Sequence, residues 1–108
     1  MGENRFLGKW RITDMEQWDL DFIDAEVPGY IAFGENETGE FHFGYVHGFM
    51  DCRYSEEKGR EIVEFSWEGN DEMDEAFGRG SALIQDEELS GHLYFHDGDD
   101  SGFKATRQ

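Results

Sequence analysis

The stretch Phe41-His42-Phe43-Gly44-Tyr45-Val46-His47-Gly48-Phe49-Met50-Asp51-Cys52-Arg53-Tyr54 decides the fold. Its apolar residues recur at every second position on either side of a glycine-bearing turn, the period of strands that bury one face. With His47-Gly48 as a two-residue turn, Val46 pairs with Phe49, Tyr45 with Met50 and Phe43 with Cys52. Paired residues share a face, so Phe41, Phe43, Tyr45, Met50, Cys52 and Tyr54 point inward. His42, Gly44, Asp51 and Arg53 point outward.

The same partition extends along the chain. Val63, Phe65 and Trp67 alternate with Glu64, Ser66 and Glu68, and Leu93 and Phe95 alternate with His92, Tyr94 and His96. Leu7 to Glu16 reads as a first strand with Trp10 and Ile12 on one face. Trp18, Phe22, Ile23 and Val27 then follow helical spacing, which Pro28-Gly29 ends. Further strands are expected at 30–33, 40–46, 49–55, 60–67, 79–85, 89–96 and 102–107. The expectation is an all-β chain: an eight-stranded antiparallel meander barrel with one short helix between strands 1 and 2. A sandwich of two four-stranded sheets is the competing architecture.

Length and composition set the outer bounds. The 108 residues suffice for one domain, 1–108. A net charge of −17 raises disorder as a reading, but 10 Phe, four Tyr and three Trp in alternating patterns argue for a folded core. The longest apolar run is Tyr30 to Phe33, too short for a membrane helix. Nothing near Met1 resembles a secretory signal and the single Cys has no internal partner, so the cytosol is the expected compartment. Nine basic against 26 acidic residues argue against direct nucleic-acid binding and against anionic lipid.

Phe6-Leu7-Gly8-Lys9-Trp10-Arg11-Ile12, followed by a helical segment, resembles the opening of calycins, and within them the intracellular fatty-acid-binding proteins and lipocalins. The resemblance implies a meandering barrel with a helical lid and an apolar ligand inside. It also implies that a basic residue of the last strand, here Arg107, holds a ligand carboxylate or packs across the Trp, here Trp10.

The chemistry-bearing residues are sparse. His92 and His96 share a face but stand roughly 13 Å apart along a strand, too far to chelate one ion. Cys52 falls on the core face. No nucleophile is paired with a base and no phosphate-cradling glycine loop occurs, so no catalytic residue is assigned. Were an enzyme present, the outward Asp51, Arg53 and His42 or the acidic loop would be its candidates. Asp97-Gly98-Asp99-Asp100-Ser101-Gly102 places oxygen ligands at alternate positions before a glycine, the first half of a calcium loop, with Asp97, Asp99 and Ser101 as its Ca²⁺ ligands.

Charge collects at one end. Connections in a meander alternate between ends, so the 17–28 connection, the His47-Gly48 turn, the acidic 68–78 loop and the 97–102 turn share one rim, without a Lys or Arg among them. Two functions follow. The first is a non-enzymatic binding barrel for a small apolar or cationic ligand entering at that acidic mouth, with Tyr45, Tyr54, Trp67 and Arg107 as interior polar handles. The second is an acidic interaction protein that docks a basic protein partner through Asp71, Glu72 and Asp74, for instance as a nucleic-acid mimic.

Overall fold

The structure, a computed structural model, describes residues 4–108. Its strands are β1 (Gly8–Met15), β2 (Tyr30–Phe33), β3 (Thr38–Phe43), β4 (Val46–Glu57), β5 (Arg60–Asp71), β6 (Asp74–Gln85), β7 (Glu88–Phe95) and β8 (Asp100–Arg107). Each pairs antiparallel with its neighbour in sequence, and β1 also pairs with β8, so the sheet closes into the expected eight-stranded meander barrel. The helix α1 (Leu20–Ile23) lies between β1 and β2.

Alternation places the core. Trp10, Ile12, Phe41, Phe43, Met50, Cys52, Val63, Phe65, Trp67 and Leu93 are all buried inside the barrel, and Phe95 packs against them. A barrel of eight strands encloses a space that side chains can fill. Here Ile12, Met15, Ile31, Phe41, Phe43, Leu93 and Phe103 leave a void of about 10 Å³, no more than a single water requires. The interior is packed with aromatic rings, and around this void the described residues leave no room for a ligand.

The β3–β4 turn corrects the expectation. It falls at Gly44-Tyr45, so Phe43 pairs with Val46 and Phe41 with Gly48. Gly44 takes a left-handed φ of 57°, its N–H donates to the Ile23 carbonyl at 2.8 Å, and the Phe22 ring occupies the place of a Cβ. Gly48 is needed in mid-strand instead, because the Phe41 and Trp67 rings fill the space where its side chain would lie. Moving the turn by three residues shifts every pairing partner by six, an even number, so the inward set keeps its parity. Tyr45 is the exception. It sits in the turn and is 41% exposed, not inside the barrel.

Two further expectations change. The 68–78 segment is not a loop, because β5 and β6 continue through Glu68↔Phe77 and Gly69↔Ala76 to Asp71↔Asp74, leaving Glu72-Met73 as a tight turn. Gly69 and Gly78 permit this, since the His47 and Tyr94 carbonyls lie where their side chains would be. The helix spans one turn rather than 17–27. Asp19 caps it by accepting the Phe22 N–H at 3.0 Å. The chain after it is held by Asp24, which accepts from both Arg11 guanidinium nitrogens at 2.6 and 2.7 Å and from the Gly29 N–H at 2.9 Å.

Candidate functional site

The connections after β1, β3, β5 and β7 meet at one end of the barrel, joined by backbone hydrogen bonds. Gly44 N–H donates to Ile23, and Glu72 N–H donates to the Tyr45 carbonyl at 2.8 Å. Between them lies a cleft of about 370 Å³ lined by Trp18, Phe22, Val46, Asp71, Glu75, Ala76, Phe77, Phe95, His96, Gly98 and Asp99. Val46 is buried, and Trp18, Phe22, Ala76 and Phe95 are half-buried, so the depth of the cleft is apolar. Asp71, Glu75 and Asp99 are exposed at its rim. Among the described residues no Lys or Arg lines it.

The aromatic walls are braced. Trp18 stacks on Phe22 with centroids 5.9 Å apart and also meets Phe43 at 5.3 Å and Phe95 at 6.1 Å. Phe77 stacks on His96 at 4.6 Å. Rings held in this way offer fixed π faces rather than a pocket that must first be ordered. Not every acid of this end is unpaired, because Arg11 reaches over from β1 to Asp24 and holds its carboxyl below the usual carboxylate range. His42 Nε2 lies 3.1 Å from Glu26 Oε1. At the β5–β6 tip beside the cleft, Asp71, Glu72 and Asp74 are exposed and form no ion pair among the described residues.

Tyr45, Tyr54, Trp67 and Arg107 do not converge. Tyr45 stands outside the cleft in an edge-to-face contact with Phe22, the ring centroids 5.9 Å apart. Trp67 is buried and donates its indole N–H to the Tyr94 carbonyl at 3.1 Å. Arg107 lies at the other end, over Trp10. Tyr54 is also at that end, its hydroxyl buried without a hydrogen-bond partner among the described residues and pushed up to about 12 chiefly by burial. It borders a wider depression of about 740 Å³ with Arg5, Glu56 and Glu61. There Arg5 and Glu61 pair with each other at 3.4 Å, so opposite charges offset locally and leave less to recruit an ion than the helix end does.

The calcium-type set is not assembled either. Ser101 faces inward and is fully buried; its hydroxyl donates to Gly102 and accepts the Gln17 N–H. The Asp97 carboxylate is 90% exposed and turns to His96, and Asp99 belongs to the cleft rim. Among the described residues no three His, Cys, Asp or Glu side chains are placed to hold a metal ion. Asp51 and Arg53 pair on the outer face of β4 at 2.7 Å, whereas His42 sits beside His47, not with them. Burial pushes the Cys52 thiol up to about 11, which suppresses its thiolate.

Comparison with protein-family models, curated proteins and solved structures finds no match to this chain. The site is therefore read from its own geometry. Of its members, the alternation of meander connections anticipated Asp71, Glu75 and Asp99 as rim acids and side-chain alternation put Phe95 on the inward face, whereas Trp18 and Phe22 were placed only by helical spacing. The signal for Trp18 and Phe22 was present in their spacing of four residues. What they face depends on where α1 lies on the barrel.

Proposed function

We propose that this chain is a non-enzymatic binding module of the cytosol that captures an organic cation in the aromatic, acid-rimmed cleft beside α1. The single observation that carries this reading is the cleft lining. Trp18, Phe22, Phe77 and Phe95 surround a space of about 370 Å³ whose charged lining among the described residues is Asp71, Glu75 and Asp99, with His96 beside them. A cation over a desolvated aromatic face gains about 2 kcal/mol, and a nearby carboxylate adds direction. An ammonium or guanidinium group with apolar substituents suits such walls better than a bare calcium ion, which needs six or more oxygens. The reading keeps the calycin-like architecture and moves the ligand from the packed interior to the mouth.

The test is a titration with tetramethylammonium chloride against sodium chloride at equal ionic strength, followed on the Trp18 indole N–H by NMR. Saturable shifts confined to cleft residues are expected. The Asp71→Asn/Glu75→Gln/Asp99→Asn protein should bind about tenfold more weakly, since two or three charge contacts are lost. Replacing Glu56, Glu57 and Glu87 at the opposite end by Gln should change little. Equal effects at the two ends, or shifts without saturation, would overturn the cleft as a site.

A further inference from the structure

The outer face of β4, β5 and β6 carries two exposed phenyl rings on an otherwise polar wall. Phe49 is 55% and Phe77 53% exposed. Both pair directly with Glu68 of β5, one from each side, so a carboxylate stands between two rings in one cross-strand row. Histidines brace both, His47 against Phe49 at 4.8 Å and His96 against Phe77 at 4.6 Å. Depressions of about 360 and 500 Å³ follow this row, and both include Phe49, Glu68 and Phe77. Phe77 also lines the cleft beside α1, so the three hollows form one track.

We infer that this track docks an extended basic segment of a partner protein, with alternating Arg or Lys and aliphatic side chains. The inference rests on the cation reading of the cleft for one end of the track only. Glu68, Asp71, Glu75 and Asp99 border its length, together with Asp51, which Arg53 already pairs, and among the described residues no Lys or Arg lines the hollows themselves. That complementarity selects a cationic partner and suppresses others. A second copy of this chain, at −17, would set like charge on like charge, and a phosphate-bearing surface meets the same repulsion. Phe49 and Phe77 are two strand spacings apart, roughly 10 Å, before the cleft begins. About three extended residues already span the two rings, and more are needed to reach on into the cleft, which a small ammonium ion cannot do. Because successive side chains of an extended segment face opposite ways, its aliphatic residues cover the two phenyl rings, while the long Arg stems reach round the segment to Glu68 and the other carboxylates along the track.

The probe is a ten-residue peptide of alternating Arg and Leu, titrated into the full chain by NMR and calorimetry. Phe49→Ser/Glu68→Gln is the test variant, because both residues are exposed and lie outside the cleft beside α1. Peptide affinity should fall about tenfold in that variant, whereas tetramethylammonium binding at the cleft stays unchanged. An Arg-Gly peptide of equal charge should bind the unsubstituted chain several-fold more weakly than Arg-Leu. Loss of tetramethylammonium binding with the peptide response intact would remove the cleft reading and leave the track standing. Equal affinity of the two peptides, no binding of Arg-Leu, or indifference to Phe49→Ser/Glu68→Gln would each overturn the track.

Discussion

The guanidinium of Arg107 lies over the indole of Trp10, with its Cζ 4.1 Å from the ring centroid. The two are register partners across β1 and β8, the seam that closes the barrel. Arg107 also donates to the carbonyls of Leu7 and Arg5, while the Trp10 indole donates to Phe6 at 2.9 Å. One residue thus ties the last strand to the segment before the first.

Arg107→Ala should destabilise the fold by about 1–2 kcal/mol, the sum of an exposed cation–π contact and partly solvated hydrogen bonds. Arg107→Lys should recover less than half of the loss, because a point charge cannot reproduce the planar fork. Urea unfolding midpoints followed by Trp fluorescence measure both. An Ala variant as stable as the parent would show that the seam closes without Arg107.

Asp24 predicts how stability depends on acid. Its hydrogen bonds from Arg11, then the Gly29 N–H, lower its carboxyl in the folded state against a smaller opposing effect of burial. Glu40 is lowered likewise by His47 and by the Tyr30 hydroxyl, which donates to it at 2.9 Å. The unfolded chain therefore takes up these protons first as pH falls. Stability present above the unfolded carboxyl value, about 4, is lost as pH drops through the folded values. Asp24→Asn should be less stable by about 1–2 kcal/mol near neutral pH, and the gap should close in strong acid. A gap that persists at low pH would mean the loss is not electrostatic.

Gly44 links the β3–β4 turn to the cleft. A side chain there must displace the Phe22 ring, which stacks on Trp18. A φ of 57° adds backbone strain for any residue other than Gly. Gly44→Ala should cost about 1–2 kcal/mol and shift the Trp18 indole resonance, while core methyl signals of Val63 and Leu89 stay in place. An unchanged Trp18 environment would separate the turn from the cleft.

The β6–β7 turn offers a gain. Asp86 and Glu87 both adopt positive φ, 54° and 67°, in a two-residue turn where Asn-Gly is favoured. Glu87→Gly should raise stability by about 0.5–1 kcal/mol, since removing the Cβ strain outweighs the entropy of the added glycine. A lower thermal midpoint would indicate that Glu87 makes a compensating contact.

Strand existence and facing were legible in the residues alone. Alternation in Val63-Glu64-Phe65-Ser66-Trp67 is a local property, and parity survives even a displaced turn because the side-chain period is two. The position of the β3–β4 turn was not legible. Gly44 and Gly48 look alike in a local reading, and only the Phe22 ring against one and the Phe41 and Trp67 rings against the other decide which bends the chain. The acids of 68–75 read as a loop because charge marks solvent, yet a barrel has an outer face on which charged strands run freely. Closure also decided what the aromatics are for. It filled the interior with Phe41, Phe43 and Phe103, left Tyr45 outside, and brought Trp18, Phe77 and Phe95 beside Asp71, Glu75 and Asp99. These contacts join residues far apart in the chain, so no window of sequence contains them, and only the geometry of the closed sheet brings them together.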